Sequence, residues 1–497
     1  MGSWSGTVVL LVTISAAVLS TPLINQLQPG QEWPQLVKQP SHESVEVISE
    51  KSTGEVEGEL VIVKPQVDKT EPEDEGNEDE VTPEIDFKTK SLIEGKEDTQ
   101  KVDYTGAQLW KVSTQKDGWR IVLSRLRRRN LISTWGTNGT TIDILVQPHA
   151  IQNVTNALKR ENIPFDVIIE DLQTRINQEN PPLDENEIEL QDRRGHRMNW
   201  KQYHRLEDIH GFLDYLAKTY PAIISVKSIG KSHEGRDIKL LRISNGNPTN
   251  KAVFIDGGIH AREWISPATV TYFINQFAEN FDVEHDDIKN IDWYFIPVLN
   301  PDGYEHTHVR DRLWRKNRRP GSGLRGCAGV DLNRNFGYRW GGKGTSNYPC
   351  SEIYRGPRAF SEPESKAVQE FFQNTAAKFS AYLTYHSYGQ YILYPWGYDN
   401  AVPPDHNDLN DVGNNMAQAI KSVGNDNYMV GSSSNLLYPA AGGSDDWAKS
   451  LGIKYAYTIE LNDQGTYGFI LPTQYIEPVA KESLASLRVL AAAVHKI

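Results

Sequence analysis

A chain of 497 residues is too long for one ordinary domain. Its net charge of −13 is uneven: between residues 41 and 100, 19 Asp/Glu face 6 Lys/Arg, which accounts for the whole imbalance. The rest is neutral and lacks a long basic patch, which argues against nucleic acid as a partner.

The chain opens with an apolar run from Val8 to Leu19 ending in small residues. It is too short to span a bilayer but suits a signal-peptide core, so residues 1–20 read as a signal peptide and the protein as secreted and extracellular, without a membrane span. Residues 21–102 are rich in Glu, Asp, Pro, Ser and Gln and poor in aromatics, the composition of a disordered segment. A solvated spacer is its simplest reading. Binding of calcium or a basic partner has no ligand spacing behind it.

From residue 103 to 178 the pattern changes. Leu109–Val112, Thr141–Val146 and Phe165–Ile169 read as strands, with helices near 115–130 and 148–160 between them. This predicts a small α+β antiparallel sandwich. Asn138-Gly-Thr140 and Asn153-Val-Thr155 are glycosylation acceptors in this piece. Residues 179–198 form a polar linker containing Arg193, Arg194 and Arg197. An exposed basic cluster between folded units is a favoured nicking site, so a trypsin-like activating protease is the expected partner.

Residues 199–497 alternate strands (237–243, 252–256, 292–299, 380–386, 454–460) with helices (205–218, 266–280, 361–375, 408–423, 477–495). The fold expected is α/β, a mixed parallel and antiparallel twisted sheet with helices on both faces. Ser266-Pro267 reads as an N-cap followed by a first-turn proline.

The chemistry begins at His260 and Glu263, on the loop that follows the strand ending at Asp256. Loops beyond the carboxyl ends of strands are where open α/β sheets bind ligands. With a distant His386, two His and one Glu leave a fourth position open, which is a catalytic rather than a structural zinc pattern. An isolated His-x-x-Glu is also common on solvated helix faces. Glu460 lies in the apolar strand Tyr455–Leu461, an unusual place for a carboxylate unless it has a function. The cysteines are Cys327 and Cys350, and an even count in a secreted chain suggests one disulfide worth roughly 3 kcal/mol.

Separated motifs then carry a resemblance. They are His-Ala-Arg-Glu-Trp at 260–264, Asn-Pro-Asp-Gly-Tyr at 300–304, Arg-Leu-Trp-Arg-Lys at 312–316, Val-Asp-Leu-Asn-Arg-Asn at 330–335, His-Ser-Tyr at 386–388, the run at 438–447 and Thr-Ile-Glu-Leu at 458–461. From about Tyr104 onward the chain resembles the funnelin zinc metallocarboxypeptidases, A/B subfamily with a pro-domain, and among them the B-like enzymes. The resemblance implies one zinc ion on His260, Glu263 and His386, the donor set carboxypeptidase A uses. It implies Glu460 as general base, Arg315 as oxyanion partner, and a disulfide between Cys327 and Cys350. It places Asn333, Arg334 and Tyr438 on the substrate carboxylate, and Arg262 and Tyr388 in neighbouring subsites. Asp445 falls at the pocket floor, with Ser433 and Gly397 leaving room. A carboxylate there suits C-terminal Lys or Arg. The expectation is a secreted proenzyme that removes single C-terminal residues from peptides and proteins. Two alternatives are the same chemistry with apolar preference, and a peptide-binding pseudo-enzyme.

Overall fold

The computed structural model describes residues 100–497, apart from Arg194, residues 322–325 and the side chains of Asp192 and Arg193. The signal-peptide run and nearly all of the acidic segment lie outside the described residues.

Four strands come first: β1 (Gln108–Ser113), β2 (Ile132–Thr137), β3 (Thr141–Val146) and β4 (Phe165–Ile169). They form an antiparallel sheet in the order β2-β3-β1-β4. Alternation sorts their side chains. Trp110, Val112, Ile144 and Val146 pack under the helices Trp119–Arg128 and Ile151–Arg160. Leu109, Leu145 and Ile169 point the other way and share a core with Leu313 and Phe469 of the larger domain. The strand β2 was not expected, because only Ile132 and Trp135 of its six residues are buried and a bulge follows Thr134. The linker also differs from expectation. The helix Glu185–Arg193 fills much of it, because the Asp184 carboxylate accepts from Glu187 N at 2.8 Å and acidic residues sit in its first turn.

The large domain holds β5 (Ile224–Lys231), β6 (Asp237–Ile243), β7 (Lys251–Asp256), β8 (Ile291–Ile296), β9 (Phe379–Ser387), β10 (Tyr391–Tyr394), β11 (Met429–Ser432) and β12 (Tyr455–Leu461). Their order is β11-β10-β12-β9-β7-β8-β6-β5. The central four, β12, β9, β7 and β8, run parallel. Burial on both faces explains their unbroken apolar runs. Val253 and Ile255 meet the helices Ile265–Glu279 and Ile476–Lys496. Ala252 and Phe254 meet the helix Pro363–Asn374. Phe254 is fully buried and stacked on Tyr382 at 5.2 Å. Truncating such a ring to alanine costs about 3–5 kcal/mol.

Ser266 is not an N-cap. The helix starts at Ile265, and the Ser266 hydroxyl instead donates to Tyr385 O at 2.6 Å and accepts from Gly258 N at 3.0 Å. Pro267 still falls in the first turn, where a missing N–H costs nothing. Cys327 and Cys350 are joined, closing a loop of separation 23. No helix among the described residues is long and apolar enough to cross a membrane.

Candidate active site

The parallel centre of the sheet places the chemistry. His260 and Glu263 follow β7, while His386 and Glu460 sit near the ends of β9 and β12. These last two are paired in register, so they lie side by side on adjacent strands. Asp331, Asn333 and Arg334 come from a short turn of helix at Leu332–Arg334, and Asp445 from the start of the helix Ser444–Ser450. The Asn333 amide oxygen accepts from Ser444 N at 2.9 Å and ties these two pieces together.

His260, Glu263 and His386 converge on one point and are buried. Their separations are 2.9 Å (His260 Nδ1 to Glu263 Oε1), 3.0 Å (His386 Nδ1 to Glu263 Oε2) and 3.1 Å between the two Nδ1 atoms. Donor atoms about 2.0–2.1 Å from a tetrahedral zinc would stand roughly 3.3 Å apart, so the set fits that ion. Two imidazole nitrogens turned toward each other and toward a carboxylate make poor sense as a plain hydrogen-bond cluster. They make good sense as ligands. Burial alone would raise Glu263, yet the two imidazoles hold it well below the usual carboxylate range. Burial, reinforced by Arg315, lowers His260 toward the neutral form a ligand needs.

The far side of His260 is held by a residue that sequence reading quoted but gave no role. Its Nε2 lies 3.1 Å from Asp331 Oδ1, and the other Asp331 oxygen accepts from Arg315 Nε and NH2 at 3.2 and 2.9 Å. Asp331 thus fixes both the imidazole and the guanidinium. A carboxylate on a ligating histidine is a general support for metal binding.

A cavity of about 110 Å³ opens beside these groups. Its walls include Arg315, Asn333, Arg334, Tyr388, Tyr438, Ser433, Gly397, Asp445 and Glu460. The Arg334 guanidinium is fixed by the carbonyls of Gly344 (3.0 Å) and Asn333 (2.7 Å). Burial pushes Glu460 up to about 7, with Glu263 adding to the rise and His386 opposing it. Burial also raises Asp445 above its ordinary range. Behind it, the Asp446 carboxylate accepts from Gly397 N and Tyr398 N at 2.8 and 2.9 Å and pins the pocket wall. Arg262 is the exception among the expected residues. It does not line the cavity, and its guanidinium lies 4.2 Å over the Phe469 ring, with NH1 donating to Leu313 O at 3.3 Å.

The N-terminal sheet closes one side of this cavity with Trp135, Gly136 and Thr137. A Cβ on Gly136 would stand 2.9 Å from the Tyr388 ring, so this approach requires glycine. The Tyr388 hydroxyl donates to Asp143 Oδ2 at 2.8 Å. Burial pushes Asp143 up to about 6, against the opposing pull of Tyr388 and Lys111. Further along the contact, Arg312 Nε and NH2 donate to the two oxygens of buried Glu179 at 2.6 and 2.5 Å. Tyr104 donates to Asp311 at 2.6 Å. A larger cavity of about 420 Å³ runs along this seam, lined by none of the ligand residues.

The zinc carboxypeptidase family model matches residues 209–486, more than half of the chain. The chain belongs to this family. A second model, the carboxypeptidase activation peptide, matches residues 110–179, so this zinc carboxypeptidase is built as a proenzyme and the N-terminal sheet is its pro-domain. It is 47% identical to carboxypeptidase B of Astacus astacus over 59% of this chain and 97% of that one. Carboxypeptidase A2 of Rattus norvegicus is 38% identical over 71% of this chain and 84% of that one. Among solved structures, thrombin-activatable fibrinolysis inhibitor is similar at 34% identity and a TM-score of 0.71, covering 79% of this carboxypeptidase and 100% of that chain. The carboxypeptidase A of Helicoverpa armigera matches at 32% identity and a TM-score of 0.70, covering 80% and 99%.

Proposed function

We propose that this zinc carboxypeptidase removes C-terminal Lys or Arg, one residue at a time, once its pro-domain is cut away. What supports the basic preference is Asp445, a buried carboxylate lining the cavity with no ion-pair partner among the described residues. A buried charge without a partner is costly, and a cationic substrate side chain offsets that cost. The neighbouring Gly397 and Ser433 leave space for a long side chain.

The remaining roles follow from position. Zinc on His260, Glu263 and His386 supplies a Lewis-acidic site that polarises a carbonyl and makes water a better nucleophile at neutral pH. Arg334, with Asn333 and Tyr438, holds the free α-carboxylate of the substrate, for which guanidinium is the fitting group. Glu460 takes the proton of the attacking water and returns it to the leaving amine. Burial raises this carboxylate and the neighbouring cationic groups oppose the rise, a balance that suits a group which must both take and return a proton. Arg315, already held in place by Asp331, faces the negative charge that develops on the carbonyl oxygen. Tyr388 lines the adjoining subsite.

The pro-domain spans about 103–178, and the cut falls at Arg193, Arg194 or Arg197, made by a trypsin-like protease. The Arg197 side chain is 69% exposed, which suits that use. The run Val8–Leu19 supports secretion, and Asn138 and Asn153 are the expected glycan sites. The deciding experiment uses trypsin-treated protein and matched peptides ending in Arg, Lys, Phe or Leu, with and without a zinc chelator. Chelator-sensitive release of Arg and Lys, with Phe and Leu slow, is expected. Fast release of Phe would overturn the role of Asp445. Glu460→Gln should keep its zinc and lose turnover, and surviving activity would overturn the general-base assignment.

A further inference from the structure

We propose that Asp256 and Thr384 form a two-residue relay that fixes the proton position of His386 and so makes its Nδ1 the ligating atom. The relay rests on the reading of His386 as a zinc ligand and adds the residues that prepare it. Both are positioning residues, since neither touches the ligand cluster point itself.

The relay follows from strand geometry. Tyr382, Thr384 and His386 alternate along β9 and so share one face. Asp256 ends β7, which pairs with β9, and its register partner is Thr384. The Asp256 carboxylate is fully buried, and each oxygen accepts one short bond. Oδ2 accepts from the Tyr382 hydroxyl at 2.6 Å and Oδ1 from the Thr384 hydroxyl at 2.7 Å.

A threonine hydroxyl has one proton and two lone pairs. Asp256 takes the proton, so Thr384 has acceptor capacity alone to offer elsewhere. His386 Nε2 lies 3.2 Å from that oxygen. The contact is therefore satisfied when Nε2 carries hydrogen and donates it. A neutral imidazole with hydrogen on Nε2 has its lone pair on Nδ1, and Nδ1 is the nitrogen facing Glu263 and His260. The remaining neighbour of Nε2, the Asn333 amide nitrogen, stands at 3.5 Å, too far to compete well. Asp331 does the same for His260 directly. Among the described residues no carboxylate lies within that reach of His386 Nε2, and Thr384 passes the effect of Asp256 on to it.

The test is zinc affinity, measured by competition with a chromogenic chelator on the full chain, beside thermal melting of the zinc-stripped protein. Thr384→Val keeps the shape and removes the acceptor, and affinity should fall about 10–100-fold. Thr384→Ser restores the hydroxyl and should stay within about threefold of wild type. Asp256→Ala should weaken zinc as well, because with no carboxylate to receive it the Thr384 hydroxyl proton is free to turn toward Nε2. A Thr384→Val protein that melts lower when stripped yet binds zinc as tightly as wild type would overturn the relay, leaving a structural role. If Thr384→Val does not fold, Asp256→Ala against Thr384→Ser decides it: equal zinc affinity in both overturns the relay. Wild-type protein that binds no zinc would instead overturn the ligand reading beneath it.

Discussion

Replacing Glu179 with Gln should loosen the cleaved pro-domain about a hundredfold. Glu179 travels with the pro-domain after a cut at 193–197, while Arg312 stays behind. Both are buried, at 1% and 6% exposure, and joined by two short bonds. Removing one member of such a pair leaves an uncompensated charge and costs about 3–5 kcal/mol. Arg312 keeps the carbonyls of Arg262 and Phe469 at 2.8 and 2.7 Å and a seat 3.7 Å over the Trp264 ring, which points to the lower end. At 1.4 kcal/mol per tenfold, about 3 kcal/mol is roughly two decades in dissociation constant. Glu179→Ala, which cannot accept from Arg312 at all, should lose more. The assay is equilibrium dissociation of the clipped pro-domain, followed by the onset of carboxypeptidase activity on dilution and by gel filtration. Equal dissociation constants within about threefold for wild type and Glu179→Gln, both folded, would refute the reasoning.

The clipped pro-domain should also be held more tightly in acid. Docking raises Asp143 from an ordinary 3.8 to about 6, so it takes up a proton in that window. Binding from this group is strongest below the lower value and weakens as pH rises through 6. Asp311, also raised by burial, acts in the same sense. Asp143→Asn should flatten the dependence, measured as dissociation at pH 5 against pH 7.5. Gly136→Ala should weaken docking without touching activity of the released enzyme, because its Cβ meets the Tyr388 ring; a docked complex of unchanged affinity would count against that close approach. Asp445→Ser should cut kcat/KM for Arg and Lys peptides by about a hundredfold or more while sparing zinc content, the loss expected for a buried charge pair. Replacing both Cys327 and Cys350 with Ser should cost roughly 3 kcal/mol, read by denaturant unfolding, since they close a loop of separation 23.

How much of this was legible depended on the kind of signal. The central strands were, because strands buried on both faces leave unbroken apolar runs, as at Ala252–Asp256. The largely exposed edge strand β5, the four-residue strands β10 and β11 and the bulged β2 were missed, being too exposed, too short or too irregular to show such a run. The ligand and cavity residues were reached through their motifs. Asp331 sat in plain view inside Val-Asp-Leu-Asn-Arg-Asn, and its contact with a residue 71 positions away has no trace in spacing. Thr384 could have been found from the strand alone, since a polar residue two before a buried ligand shares its face. Asp256 could not, because its meaning depends on which strand lies beside it. Arg262, expected in a neighbouring subsite from its motif, lies over the Phe469 ring, and which way a loop side chain turns leaves no trace in spacing.

The side-by-side placement of His386 and Glu460, with His260 contributed 126 positions before His386, has a consequence for biosynthesis. No contiguous stretch of this chain contains a working centre. The strands β7 and β9, far apart along the polypeptide, must find their register before the two histidines can meet, and β12 must join them before Glu460 arrives. Contacts of such long range form slowly and late. A chain cut before β9 should therefore lack protease activity and bind zinc poorly, so that metal uptake reports on completion of the central sheet. The same topology keeps hydrolytic chemistry switched off during synthesis, before the pro-domain has any opportunity to restrain it.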